Sequence, residues 1–177
     1  MKYIKFEKKY GGTGNIGPGM PYSTTVEIIL NSNNKTNKRI THTFYSLKDL
    51  FGVSYDSFSL VEELENAEEL FAELERLGIN ECQDSYAVDT VPEMYSGSWV
   101  LTYLNNDTSK LIYGSNANKI EAVDSVKELI GFEDAENKAL ENLAEKIEEA
   151  RNYEVLLKQY GIKVKRFSEE RLSIGRR

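Results

Sequence analysis

Residues 22–45 read YSTTVEIILNSNNKTNKRITHTFY. The first nine of these residues are rich in β-branched side chains, which favour a strand. Residues 31–38 are polar and predict a turn. The last seven residues alternate in character, which is typical of a strand with two different faces. One face carries Ile40, His42 and Phe44, and the other carries Thr41, Thr43 and Tyr45. The stretch therefore predicts a β-hairpin.

Two further regions predict strands of the same kind. Residues 2–9 place apolar side chains among lysines, and residues 98–104 alternate Trp, Leu and Tyr with smaller side chains. A polar turn at 105–107 leads into residues 110–113, which predict the return strand of a second hairpin. We therefore expect an antiparallel sheet of about four to six strands, built from two hairpins.

Three segments predict helices. In residues 57–77, apolar residues recur at spacings of three and four, a capping box falls at 59–62, and Gly78 is suited to the position that follows the helix. The apolar stripe consists of Leu60, Leu64, Ala67, Phe71, Leu74 and Leu77. Residues 122–130 and 134–160 predict a short helix and a longer one.

Together these elements predict one α+β domain over residues 1–167, with helices packed mainly on one face of the sheet and a basic tail at 168–177. A Ser-x-Lys-acid-Leu-apolar-Gly motif follows both hairpins, at 46–52 and at 125–131. Residues 22–52 and 98–131 are therefore candidates for a duplicated hairpin–helix unit.

Composition excludes several classes of protein. The 177 residues contain one cysteine and one histidine, so an intramolecular disulfide cannot form and a zinc site is not expected. We predict no metal and no cofactor, although Asp84, Asp89 and Glu93 leave a magnesium site open as an alternative. No stretch approaches the roughly 20 apolar residues that span a bilayer, and the N-terminus lacks the pattern of a signal peptide. We expect a protein of the bacterial cytoplasm that does not contact membranes.

Charge is distributed unevenly along the chain. Residues 1–50 contain eight lysines and arginines and three carboxylates, whereas residues 51–157 contain seven and 24. Residues 158–177 are again basic, with seven cationic side chains and two carboxylates. An acidic middle between basic ends can bind a basic partner or compete for a nucleic-acid channel. The alternative is that the carboxylates only solvate helix surfaces.

Two kinds of residue are candidates for RNA chemistry. His42 is the only side chain with an ordinary pKa near neutrality, so it is the candidate catalytic residue, although a packed, hydrogen-bonded core histidine is the interpretation that we favour. Lys5, Lys9, Lys38 and Arg39 lie among tyrosines in the first strands, a composition typical of sheets that bind RNA. They are the candidate phosphate contacts. Tyrosine is also common in ordinary strands, so this pattern has a purely structural alternative.

A resemblance narrows the function. The stretches SGSWVLTY at 96–103 and GSNA at 114–117, the segment 10–22 and the acidic helices look like features of Gram-positive accessory proteins. The chain as a whole resembles the type II anti-CRISPR proteins of streptococcal phages and mobile elements. That resemblance implies an inhibitor of the RNA-guided CRISPR effector nuclease, from a group whose members occupy DNA-binding surfaces, prevent guide loading or cause the guide RNA to be cut. We predict the effector as the partner and, through the basic hairpin, its guide RNA as a second partner.

The charge layout suggests how such an inhibitor would bind. The effector holds its heteroduplex in a positively charged channel, in which glutamate-rich helices could compete. The candidate partner-binding residues are Glu62, Glu65, Glu69, Glu73, Glu141 and Glu145. Two alternatives stay open: a ribonuclease or inducer of guide-RNA truncation, and a non-enzymatic interaction domain of a mobile element with another partner. Whether the protein is an enzyme and whether it oligomerises are also open.

Overall fold

A computed structural model describes residues 1–11, 17–30, 36–48, 54–86 and 97–159. Its main feature is one antiparallel sheet of six strands in the order β4-β3-β2-β1-β5-β6. The strands are β1 (Lys2–Lys9), β2 (Pro21–Leu30), β3 (Thr36–Tyr45), β4 (Tyr55–Glu63), β5 (Ser98–Asn105) and β6 (Thr108–Ser115). The predicted α+β class and both predicted hairpins, β2–β3 and β5–β6, are confirmed.

The described helices all follow β4 in the chain. They are α1 (Ala67–Arg76), α2 (Glu121–Leu129) and α3 (Phe132–Gln159), with a short 3₁₀ turn at Ile79–Glu81. The predicted boundaries of α2 and α3 are confirmed to within two residues. Gly78 adopts a left-handed φ of 69° directly after the last turn of α1, as its position in the sequence predicts.

The prediction of one helix over 57–77 is wrong in its first half. Residues Tyr55–Glu63 form β4, and the helix begins only at Ala67, with Asn66 in a left-handed conformation at its N-cap. The physical reason is pairing with β3, which places Leu60 opposite Ile40 and Phe58 opposite His42. Burial of these cross-strand pairs outweighs the local helical spacing of the sequence. Without β4, the side chains of Ile40 and His42 on β3 would be uncovered on that side.

The described helices cover one face of the sheet, and the other, which no described helix covers, we call the open face. Alternate residues on the covered face form the core with the helices, and Ile4, Val26 and Ile40 are fully buried there. Helix α3 packs along β2 and β3, and Phe132 at its start meets the ring of Phe6 with centroids 4.8 Å apart. The helices therefore pack on one face, as predicted, and the opposite face carries the other half of each strand's side chains.

Several predictions remain untested. The two copies of the proposed repeat motif lie in different settings, since Leu47 and Lys48 are in a turn whereas Ser125–Leu129 are helical. The rest of the first copy, Asp89, Glu93 and the basic tail lie outside the described residues. None of the described helices is both long enough and apolar enough to cross a membrane.

Candidate partner-binding surface

The acidic charge of the protein is concentrated on its helices. Residues 121–159, which hold α2 and α3, contain eleven carboxylates and five cationic side chains. Residues 65–76, which hold α1, contain five carboxylates and one arginine. The acidic middle predicted from the sequence is thus a helical layer on one side of the sheet. A surface of this sign attracts cationic partners over several ångströms.

Five of the six predicted partner-binding carboxylates lie on this layer and are exposed. Glu69 and Glu73 are one turn apart on α1, and Glu141 and Glu145 are one turn apart on α3. Glu65 lies in the turn before α1. Glu73 bonds Arg76 within its own helix, an exposed contact that contributes little to stability. Each pair therefore presents two carboxylates to solvent from one helical face.

Glu62 occupies a different environment. It lies on β4, where Lys138 donates a hydrogen bond to it over 2.6 Å and Lys38 is 3.8 Å away. The hydrogen bond from Lys138 lowers the pKa of the Glu62 carboxyl, and burial lowers the pKa of the Lys38 ammonium. Glu62 therefore links the sheet to α3, which gives it a structural contact that the sequence did not predict.

The open face of the sheet is balanced in charge. It carries Lys5, Lys9 and Arg39 together with Glu7, Glu27 and Glu63. Glu27 lies directly between Lys5 and Arg39 in neighbouring strands, so opposite charges alternate across the sheet. Burial, followed by the nearby Glu27, raises the pKa of Tyr3 to about 12. Three of the four predicted RNA contacts are thus on this face, and two of them, Lys5 and Arg39, lie directly beside Glu27.

Lys38, the fourth predicted RNA contact, lies on the covered face. It shares that face with Ile40 and His42, and only 8% of it is exposed. Its ammonium group is directed to Glu62 rather than to the open face. The structure therefore does not bring Lys38 together with Lys5, Lys9 and Arg39.

Three tyrosines form an aromatic cluster at one end of the open face. The Tyr22 ring lies 4.4 Å from the Tyr55 ring and 5.9 Å from the Tyr45 ring, and Tyr45 and Tyr55 are 5.2 Å apart. Burial and the two neighbouring phenols raise the pKa of Tyr45. Flat rings of this kind can stack on a base or pack against a partner's apolar side chain.

His42 is fully buried beneath the helical layer. Its Nδ1 atom is 2.8 Å from the Thr24 hydroxyl, which is 2.7 Å from the Tyr10 hydroxyl. Tyr10 donates to Glu136 on α3 over 2.8 Å, and Lys8 is 2.9 Å from the same carboxylate oxygen. Four elements are joined by this polar chain: β1, β2, β3 and α3.

The direction of the chain assigns the tautomer of His42. Because the Glu136 carboxylate only accepts hydrogen bonds, Tyr10 gives it its proton and must accept from Thr24. Thr24 then has no proton left for the ring, so Nδ1 of His42 donates to Thr24. This leaves Nε2 unprotonated, and this buried nitrogen has no hydrogen-bond partner among the described residues. Burial also lowers the pKa of His42.

As a catalytic base, His42 is inaccessible in this arrangement. Its ring has no exposed surface and is surrounded by the rings of Tyr10, Phe44 and Phe58. An RNA 2′-hydroxyl would have to come within about 3 Å of Nε2 to lose its proton. The geometry therefore supports the packed core histidine, the interpretation favoured by its place on the apolar face of the strand.

The start of α3 borders a cavity of about 550 Å³, which we call the junction cleft. Its lining includes Lys8 and Phe132, Lys127, and carboxylates from both neighbouring helices: Asp124, Glu128, Glu133, Asp134 and Glu136. Lys8 is paired with Glu136, and Lys127 lies over the rings of Phe6 and Phe132. The cleft adds to the acidic character of the helical layer. Sequence reasoning missed it because α2 and α3 meet at Gly131 with a geometry that spacing alone does not give.

The described part of the chain shows no candidate metal-binding site. No group of three or more His, Cys, Asp or Glu side chains there is arranged to hold a metal ion. Asp84, one of three carboxylates considered for magnesium, bonds Lys110 over 2.6 Å.

Comparisons with known proteins add no family. No protein-family model matches the chain, and no curated protein sequence matches it.

Proposed function

We propose that this protein is a non-catalytic inhibitor of the type II CRISPR effector nuclease, and that it binds the effector through its acidic helical layer. The observation that carries the proposal is the separation of charge between the two sides of the sheet. Exposed carboxylates dominate α1 and α3, whereas the open face is balanced. The resemblance noted in the sequence supplies the identity of the partner.

The physical basis is competition for a cationic surface. The effector holds its guide–target heteroduplex through contacts to the backbone in a positively charged channel. Carboxylate pairs on rigid helices, such as Glu69 with Glu73 and Glu141 with Glu145, offer negative charge to the same lysines and arginines. Complementary charge also accelerates association and selects against anionic partners. The inhibitor would act by occupying the channel.

Binding is favoured over cleavage of the guide RNA by the position of His42. That side chain is buried within the core and shielded by aromatic rings. Direct RNA contact by the open face is a secondary part of the proposal. Lys5, Lys9 and Arg39 are available there beside the aromatic cluster, but the nearby carboxylates weaken their attraction for phosphates.

The test is a target-DNA cleavage assay with purified streptococcal effector, guide RNA and increasing amounts of this protein, with the guide examined on a denaturing gel. We expect inhibition with an intact guide. The double variant Glu141→Lys and Glu145→Lys should inhibit about tenfold less well, a loss of ~1.4 kcal/mol in binding. Glu69→Lys with Glu73→Lys should behave similarly.

The matched control is Glu81→Lys with Asp107→Lys, which changes the net charge equally but lies outside the helical layer and outside β4. It should inhibit like the unmodified protein. Equal inhibition by all variants would show that the helical layer is not the binding surface. A shortened guide would instead favour RNA truncation, and undiminished cleavage with effectors from several hosts would reject the CRISPR partner.

A further inference from the structure

The outer edge of β4 is a strand edge without a partner among the described residues. β4 pairs with β3 on its inner side, and no described strand lies on its outer side. The opposite edge of the sheet differs, because backbone bonds join Tyr113 of β6 to Asp84 and Tyr86. β4 is also poorly covered, with Val61 58% and Tyr55 47% exposed. An edge of nine residues, about 30 Å long, is a ready site for pairing with another strand.

The backbone pattern identifies which groups face outward. The Leu64 amide donates to Thr36, and the Ser46 amide donates to Ser54, so even-numbered residues on this strand bond to β3. In an antiparallel ladder the residues between them point their N–H and C=O groups the other way. The outward residues are Tyr55, Ser57, Ser59, Val61 and Glu63. The strand contains no proline and pairs with β3 without a bulge, so its backbone can pair with an additional strand.

We propose that β4 pairs antiparallel with β4 of a second copy of this chain, around a twofold axis at Ser59. In this register Ser59 lies opposite Ser59, Ser57 opposite Val61, and Tyr55 opposite Glu63. Every outward amide then meets an outward carbonyl, because odd-numbered residues oppose odd-numbered residues. Two six-stranded sheets become one continuous sheet, and the contact is of the self-complementary kind that closes a dimer.

Side chains on the covered face select this register over its neighbours. With the axis at Ser59, the half-buried Phe58 of each copy lies opposite Leu60 of the other. Shifting the register by two residues would place either Phe58 opposite Glu62 or Leu60 opposite Asp56. Both shifts set an apolar side chain against a carboxylate and shorten the ladder. Apolar cross-strand pairs stabilise a sheet, so the full-length register is the most favourable.

Two symmetry-related pairs in this register, each formed by Asp56 of one copy and Glu62 of the other, bring carboxylates together. Lys138 and Lys38 already bind Glu62, so Asp56 of the second copy would approach a carboxylate whose charge is largely neutralised. Lys138 is 56% exposed and could reach both acids. The arrangement therefore contains its own counterion at the only position where like charges oppose each other.

Sedimentation velocity over a wide concentration range tests the proposal on the full-length chain. We expect a reversible monomer–dimer equilibrium that Ser59→Pro abolishes, because proline removes an outward amide on each copy at the centre of the ladder. The inner backbone bonds to β3 are unaffected and only the exposed hydroxyl contact between Ser59 and Thr41 is lost, so the variant should melt cooperatively, close to the unmodified protein. Ser109→Pro, which removes an outward amide from β6 at the other edge, is the matched control and should dimerise normally.

Charged variants at residue 59 test the register. Ser59→Lys and Ser59→Glu each place like charges opposite each other, and each should dimerise about fivefold more weakly than the unmodified protein. An equimolar mixture of the two should form a mixed dimer at least as tight as the original. A protein that is monomeric at every concentration overturns the proposal. So does a dimer that survives Ser59→Pro, or a mixture that pairs no better than the two variants alone.

Discussion

At the residue scale, the burial of His42 makes stability depend on pH. Burial lowers the pKa of His42 in the folded protein below its ordinary value near 6.5. The unfolded chain therefore binds a proton at a higher pH than the folded chain does. Above about pH 6.5, His42 is neutral in both states and does not change the free energy of unfolding. Below that pH, the free energy of unfolding falls as the pH drops towards the folded-state pKa of His42. The slope from this one proton is at most ~1.4 kcal/mol per pH unit.

Urea unfolding at a series of pH values measures this effect. The comparison is with His42→Asn, whose amide can donate to Thr24 in place of Nδ1 but does not titrate. The variant will be less stable at every pH because a ring has been lost, so the quantity of interest is the difference in pH dependence. Parallel curves for the two proteins below pH 6.5 would contradict a lowered His42 pKa.

Tyr10 provides a second prediction at this scale. Tyr10→Phe removes the hydroxyl that joins Thr24 to Glu136, and leaves Thr24 without its acceptor in a buried position. We expect a loss of about 1–2 kcal/mol in the free energy of unfolding. Tyr153→Phe, at a tyrosine that is 62% exposed on α3, should change it by less than about 0.5 kcal/mol. An equal effect of both changes would show that the chain contributes nothing specific.

Individual residues also show what the sequence could and could not predict. The alternation around His42 correctly predicted that His42 lies on the apolar face. The same alternation, extended back to Lys38, places Lys38 on that face as well and would have excluded it from the predicted RNA contacts. That signal was present in the sequence. The contact between Tyr10 and Glu136 was not, because 126 residues separate them and only the packing of α3 brings them together.

At the scale of elements, β4 shows why local periodicity misleads at a sheet edge. Leu60 and Leu64 are spaced as in a helix, while Phe58 and Leu60 are spaced as in a strand, so both patterns fit the same residues. The choice depends on β3, whose outer side needs a partner. No neighbouring strand needs the segments of α2 and α3 as a partner. Their helical spacing therefore predicted both helices well.

The β5–β6 pair supports a third prediction. Gly114 lies opposite Trp99, and a methyl group at Gly114 would overlap the indole ring. The ring cannot easily move, because its Nε1 donates to the Ser115 carbonyl over 2.9 Å in the core. We expect Gly114→Ala to cost about 1–3 kcal/mol in the free energy of unfolding. Ser109→Ala, at an exposed position of the same strand, should be near neutral, and thermal or urea unfolding compares them.

At the scale of the whole molecule, charge and sheet topology give the two faces of the sheet different properties. The helices cover one face and carry the excess of carboxylates, while the edge at β4 and the balanced open face remain for other contacts. A dimer through β4 would place two helical layers on one continuous sheet. Two acidic surfaces in one particle would strengthen binding to a cationic partner through effective concentration.

The separation of charge predicts which simple polymer the protein binds. At low salt, a fluorescent oligolysine peptide should bind much more tightly than single-stranded RNA of similar length, as measured by fluorescence anisotropy. The apparent Kd for oligolysine should rise steeply with salt, because the carboxylates involved are exposed and screened. Glu141→Lys with Glu145→Lys should weaken this binding several-fold, whereas Glu81→Lys with Asp107→Lys should alter it little. Tight RNA binding that requires Lys5 and Arg39 would instead identify the open face as the main functional surface, despite the carboxylate between them.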